Sequence, residues 1–209
     1  MPQKIKKVGV IGMGSIGKRH AHNLLEMGHE VNVYDPNATS GLGYKLDLIW
    51  YEGLEDLVNV SDAIVIASPT PLHANHIFDA GSKPIFIEKP VADIPLAGLP
   101  NNVLMVGYNL RFRSCVKQAK KWIDAGSIGD PLWSNLTCAQ FNDKPAYLRD
   151  GVILNWSHEI DLALYLLGPA EAQSSFVHIG NHGPEDMADI TLAHSNGTLA
   201  HSSGCVSHI

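Results

Sequence analysis

The sequence predicts an α/β protein in two parts. Residues 1–107 are expected to form a doubly wound parallel sheet, and residues 108–209 an α+β domain on a mostly antiparallel sheet. Three observations carry this. Short apolar, β-branched runs alternate with helical patterns through the first half of the chain, as crossover helices between parallel strands require. The first run, Val8–Ile11, leads straight into Gly12-Met13-Gly14-Ser15-Ile16-Gly17 and then a polar helical pattern. Beyond Gly107 the pattern becomes amphipathic helices and strand-like alternation.

The elements follow in order. A strand at about Lys6–Ile11 precedes a helix from about Ser15 to Met27, with Gly28 placed to end it. Val31–Tyr34 is a second strand, Tyr44–Ile49 a short third, and Gly53–Val58 a short helix. The continuous apolar run 62–67 reads as a buried strand. Thr70 is expected as the N-cap of the next helix, with Pro71 in its first turn and Gly81 beyond its end. Lys83–Ile87 and Val103–Val106 are strands. Between them, Val91–Asn102 is too broken by proline, glycine and asparagine to be helical.

In the second part, Ser114–Ala125 places Val116, Ala119 and Ile123 on one side of a helix. Leu132–Phe141 alternates like a strand. Asn155–Leu167 reads as one helix, closed by Gly168-Pro169, with Trp156, Ile160, Ala163 and Leu167 in a stripe. Strands are expected at Ala172–Ile179, Asp186–Ala193 and Gly197–Val206.

Composition narrows the function. The 209 residues are 45% hydrophobic and 17% charged, in the range of a folded globular chain. The formal net charge is −6, so no basic surface suggests a nucleic acid or an anionic membrane as partner. No signal peptide or apolar membrane span is legible. The three cysteines, Cys115, Cys138 and Cys205, lack metal-binding spacing and read as reduced thiols. A cytoplasmic location is expected. His20 and His22 stand i,i+2 on a helix and cannot share a face, which argues against a metal site.

The glycine motif has a chemical reading. Gly12 permits a tight turn, Gly14 a close approach of backbone to pyrophosphate, and Gly17 close packing of helix on strand. The helix N-terminus then offers free N–H groups to the phosphates. Asp35, at the end of the second strand, is placed to bind a ribose hydroxyl. Its charge favours NAD over NADP, because a carboxylate repels a 2′-phosphate.

Four motifs stand in order: the glycine turn, Ser68-Pro-Thr-Pro-Leu-His73, Glu88-Lys89-Pro90, and Asn155-Trp-Ser-His158-Glu-Ile-Asp161. Gly107-Tyr-Asn-Leu-Arg-Phe112 lies before the last. The set closely resembles the Gfo/Idh/MocA oxidoreductases, which include glucose–fructose oxidoreductase and inositol dehydrogenase. The resemblance covers essentially the whole chain. It implies NAD(P)-dependent oxidation or reduction at a secondary alcohol or ketone of a sugar, cyclitol or nucleotide sugar. Lys89 matches the family's lysine, and His158 the histidine that exchanges the proton. Asn155 stands where the family carries an aspartate.

The expected cofactor bed comprises Gly12, Met13, Gly14, Ser15, Ile16 and Asp35 from the first two strand ends. Ser68, Thr70, His73, Glu88 and Lys89 complete it. Independently, a neutral-range imidazole suits proton transfer from a carbinol, and an ammonium suits a developing alkoxide. Duller roles compete with these: Lys89 as a surface lysine, or His158 as a helix histidine capped by Asp161 or Glu159. Asn109 and Arg111 could equally line a site or join the domains. Specificity would lie in Asn142–Gly151 and His178–Glu185.

Three departures from the family are visible. They are Asn155, the shortened stretch after Pro90, and a chain that stops where relatives run on. The last leaves sheet surface to cover, most simply with a second copy, so a homodimer or larger homo-oligomer through the C-terminal sheet is expected.

Overall fold

The computed structural model describes residues 5–38, 46–100, 103–141, 151–180 and 185–207. The chain divides into two compact units, Met1–Gly107 and Tyr108–Ile209.

In the first unit the strands are β1 (Lys7–Ile11), β2 (Glu30–Tyr34), β3 (Ile49–Trp50), β4 (Ala63–Ile66), β5 (Ile85–Ile87) and β6 (Leu104–Val106). All pair in parallel, in the order β3-β2-β1-β4-β5-β6. That is the doubly wound Rossmann order, with its switch point between β1 and β4. Helices α1 (Ser15–Glu26), α2 (Leu54–Val60) and α3 (His73–Asp79) complete the unit. Strand residues alternate between two cores. Ile11, Ile64, Ile66, Ile85 and Ile87 pack with Leu57 of α2 and Ile77 of α3. Val8, Val10, Val31, Val33 and Val65 pack with Ala21 of α1. Residues 91–100 contain no helix or strand, yet Val91 and Leu96 lean on the first core and cover part of that sheet face.

Two readings of this unit need correction. The third strand is Ile49–Trp50 rather than Tyr44–Ile49, and residues 44 and 45 lie outside the described residues. Thr70 is not a helix N-cap. It opens a 3-10 turn, Thr70–Leu72, between Pro69 and α3, and no side chain caps either element. Pro69 and Pro71 each fix φ near −65° around Thr70, which suits a tight turn closed by Leu72 N–H to the Pro69 carbonyl at 2.9 Å.

The second unit holds α4 (Ser114–Asp124), β7 (Trp133–Phe141), α5 (Val152–Asn155), α6 (Ser157–Leu167), β8 (Ala170–His178), β9 (Met187–His194) and β10 (Leu199–Ser207). The sheet order is β7-β10-β9-β8, antiparallel except for the β7–β10 pair. Ala163 and Leu167 pack on Leu192 and Ala200, while Trp156 and Val152 pack on Ala188.

The single helix expected over Asn155–Leu167 is two. The break falls at Trp156, whose indole is 1% exposed and sits so close to Gly204 of β10 that a Cβ there would lie 3.2 Å from the ring. Seating that indole against a glycine on the sheet takes priority over helical continuity. Trp156→Ala is therefore expected to destabilise the protein by about 3–5 kcal/mol in urea unfolding. A loss below about 1 kcal/mol would show that the break has another origin.

Candidate functional site

The glycine turn has the geometry its sequence foretells. Gly12 has φ +91°, and a Cβ on it would lie 2.7 Å from the backbone of Ser68, at the β1/β4 switch point. A Cβ on Gly17 would lie 1.8 Å from the Gly12 carbonyl oxygen, so only glycine lets α1 cross the turn there. Gly14 is the opposite case: a Cβ built on it meets no described atom within 4 Å. Ser15 and Ile16 begin α1, whose N-terminus has no side-chain cap and no acidic residue in its first turn. Open space above free N–H groups at the positive end of a helix fits a diphosphate.

Asp35 stands just past β2, beside this turn. Its Oδ2 accepts the Met13 N–H at 2.7 Å and its Oδ1 the Asn37 N–H at 2.8 Å. The carboxylate is thus pinned at the strand end with lone pairs to spare.

Ser68 and Glu88 follow β4 and β5, on the same edge of the sheet. The Ser68 hydroxyl is 2.8 Å from Nδ1 of His76. Burial pushes His76 below the ordinary histidine value; Asp79 opposes this and His73 adds to it. Glu88 is bonded at 2.7 Å to Nε2 of His20 on α1, and the His20 ring meets Phe86 edge-on at 5.2 Å. Burial pushes the Glu88 carboxyl up, but His20, and then the backbone N–H and ammonium of Lys89, outweigh it and hold the group below its ordinary value. Whatever the pair adds to stability is present above the ordinary carboxylate range and lost as pH falls through the depressed value. Lys89 comes next, joined to Pro90 by a cis peptide bond.

His73 differs from expectation. Rather than facing a cofactor, its ring is 1% exposed and spans two carbonyls, Ser68 at 2.8 Å from Nε2 and Pro90 at 2.8 Å from Nδ1. Neither ring nitrogen is left for a ligand. His20, set aside in the sequence because it could not pair with His22, turns out to grip Glu88, 68 positions away, while His22 faces Glu26. No local pattern betrays so distant a partner.

In the second unit, His158 lies in the first turn of α6 and Asn155 ends α5. The two do not share a continuous helix, so the i,i+3 argument for a common face does not apply. Glu185 holds α5 from its N-terminal end, accepting the Ile153 N–H at 3.1 Å. The His158 ring meets Tyr108 edge-on, 5.9 Å between centroids.

Asp161 pairs with Arg111. Its carboxylate, 5% exposed, makes a two-pronged pair with Arg111, with Nε to Oδ2 at 2.8 Å and a second bond from Nη2 to Oδ1. The Arg111 guanidinium also lies over the Tyr165 ring at 5.1 Å. Arg111 thus has a structural role, tying the 3-10 turn Asn109–Phe112 to α6. Burial and the Asp161 charge push the Tyr108 phenol up, with Ser157 and Arg111 opposing. Of the two candidate specificity loops, residues 142–150 and 181–184 lie outside the described residues. Among the described residues no group of three metal-type side chains gathers, and no helix is long and apolar enough to cross a membrane.

A parallel 3-2-1-4-5-6 sheet with an open glycine turn at its switch point defines the class: a Rossmann dinucleotide-binding fold. The family models agree. Residues 6–107 match the oxidoreductase family with an NAD-binding Rossmann fold, and residues 116–208 match the GFO/IDH/MocA C-terminal domain. The chain belongs to the GFO/IDH/MocA family.

Among its relatives is the scyllo-inositol 2-dehydrogenase (NAD(+)) of Bacillus subtilis, 31% identical, covering 90% of this chain and 62% of the relative. Inositol 2-dehydrogenase of Burkholderia vietnamiensis is 31% identical over 88% of this chain and 61% of its own length. The crystal structure of Lactobacillus casei myo-inositol dehydrogenase, in complex with NAD(H) and myo-inositol, superposes with TM-score 0.80 at 26% identity, covering 97% of this chain and 68% of that one. The chain spans about three-fifths of the length of the curated relatives it matches.

The three glycines make separable predictions. Gly17→Ala is expected to cost about 1–3 kcal/mol or more in urea unfolding, because rigid backbone stands where the methyl would go. Gly14→Ala is expected to leave the unfolding midpoint nearly unchanged while weakening NADH binding, followed by fluorescence titration. Equal effects of the two variants on stability would contradict the assignment.

Proposed function

We propose that this chain is a nicotinamide-dependent oxidoreductase acting on a secondary alcohol, or its ketone, in a sugar, cyclitol or nucleotide sugar. Residues 1–107 bind the dinucleotide, and residues 108–209 serve substrate and self-association. The observation that carries the reading is the open glycine turn at the β1/β4 switch point, with Lys89 on the same strand-end edge, after β5. Ligands of open α/β sheets gather at that edge. The inositol dehydrogenases among the relatives support a polyol substrate.

Within this reading, the backbone of Gly12 to Ile16 takes the diphosphate and Asp35 the adenosine ribose, which favours NAD. Ser68, Thr70 and Glu88 complete the bed at the neighbouring strand ends. The bound nicotinamide supplies the hydride chemistry. Lys89 presents an ammonium to the reacting oxygen and stabilises alkoxide character there. His158 exchanges the hydroxyl proton, and Asn155 positions substrate through its amide, which can donate and accept hydrogen bonds but carries no charge.

A second copy is proposed to cover the sheet face on which Trp133, Phe176, Met187 and Leu199 are exposed. A second reading, a dinucleotide-binding protein without catalysis, is favoured by Asn155 in place of aspartate.

Turnover of NAD⁺ against a panel of inositols, sugars and nucleotide sugars, read at the NADH absorbance band, separates the readings. Turnover of one polyol, reduced about 100-fold or more in Lys89→Met with NADH affinity retained, is the expected result. Tight NADH binding with no turnover across the panel would favour the carrier. Replacing the Asp35 carboxylate in Asp35→Ser should shift the NADP⁺ to NAD⁺ preference about tenfold or more towards NADP⁺. An unmoved ratio would remove Asp35 from the ribose site.

A further inference from the structure

The Lys89 turn is gripped from both sides. On one side Glu88 is bonded to His20 of α1, the helix that begins at the glycine turn. On the other, the Pro90 carbonyl is bonded to His73 of α3. The second nitrogen of His73 holds the Ser68 carbonyl, and Ser68 is the residue whose backbone lies against Gly12. One buried ring therefore links the end of β4, which supports the glycine turn, to the turn that carries Lys89.

We propose that His73 is a positioning residue for Lys89: its imidazole clamps the carbonyls of Ser68 and Pro90 and holds the lysine-bearing turn in register with the glycine turn. Both partners are carbonyl oxygens, which only accept, and each lies at hydrogen-bonding distance from one ring nitrogen. Pairing of β4 with β5 brings residues 68 and 90 to adjacent strand ends, and the His73 ring joins their carbonyls beyond the last ladder pair. An ammonium that must meet a reacting oxygen gains from such bracing, since misplacement by about 1 Å can cost on the order of 100-fold in rate.

The inference rests on the proposed role of Lys89, so its test has arms with and without turnover. His73→Gln retains one donor and His73→Leu none. With NAD⁺ and the polyol the wild type turns over, His73→Gln is expected to lose about tenfold or more in kcat, with the NADH Kd changed less than about threefold. His73→Leu is expected to lose more. In a Lys89→Met background the His73→Gln change should have little further effect, because residues acting as a unit are not additive. An undiminished kcat in His73→Gln, or the same fractional loss with and without Lys89, overturns the proposal.

Two readouts do not need turnover. In the ¹H–¹⁵N imidazole spectrum of the wild type, assigned by its loss in His73→Gln, the His73 ring N–H should exchange slowly with solvent, as a buried donor held to a carbonyl does. Exchange as fast as that of an exposed imidazole overturns the clamp. The acetylation rate of Lys89 by acetic anhydride, followed by peptide mass spectrometry, should change about threefold or more in His73→Gln. An unchanged rate overturns the positioning role. Should the wild type turn over no polyol, the enzymatic reading fails while these two measurements still decide the clamp.

Discussion

A parallel sheet delivers its strand ends to one edge, but nothing in the strand ladder fixes the turns beyond that edge. Here the fixing is done by side chains that bond across the sheet, to backbone or to one another. Asp35 holds the glycine turn through the Met13 N–H, His73 joins the Ser68 and Pro90 carbonyls, and His20 grips Glu88. Each bond crosses from one strand end to the next or to a neighbouring helix. Individually such bonds contribute about 0.5–1.5 kcal/mol, somewhat more where charge is involved. Their collective effect is geometric: three turns that would otherwise move separately become one bed.

Features governed by near neighbours were legible in the sequence. The glycine roles follow from spacing alone, and Gly12, Gly14 and Gly17 have the crowded, open and crowded surroundings that the motif demands. The alternation of apolar runs and helices foretold the sheet, and the run of proline, glycine and asparagine after Pro90 foretold its irregular path. Illegible features depended on partners far along the chain. His20 finds Glu88 and Arg111 finds Asp161 across separations that no periodicity encodes. The break at Trp156 belongs to the same class, because helical spacing runs through it without interruption. Only the sheet residue Gly204 explains why the indole and the helix axis part company there.

His73 shows how a correct placement can suggest the wrong role. The sequence puts it in the first turn of the helix that follows β4, where ligand contacts are common, and in the structure it opens α3. Its nitrogens, however, are already committed to backbone. A histidine can serve a site by touching ligand or by bracing what does, and only the partners of its two nitrogens tell these apart.

The second unit repeats this logic with charge. Burying Asp161 costs solvation that Arg111 must return, and a planar guanidinium gripping both carboxylate oxygens is the geometry that returns most of it. The pair stands one turn along α6 from His158, so it anchors the start of that helix to the chain entering the unit. Tyr108 closes the other side, its ring edge-on to His158 and within reach of the Arg111 charge at 5.8 Å. With Asp161 committed to Arg111, the carboxylate nearest His158 in helical spacing is satisfied elsewhere. Asn155, ending the preceding helix, adds no charge. The His158 ring is thus met edge-on by Tyr108, on a helix whose first turns the Arg111–Asp161 pair holds in place.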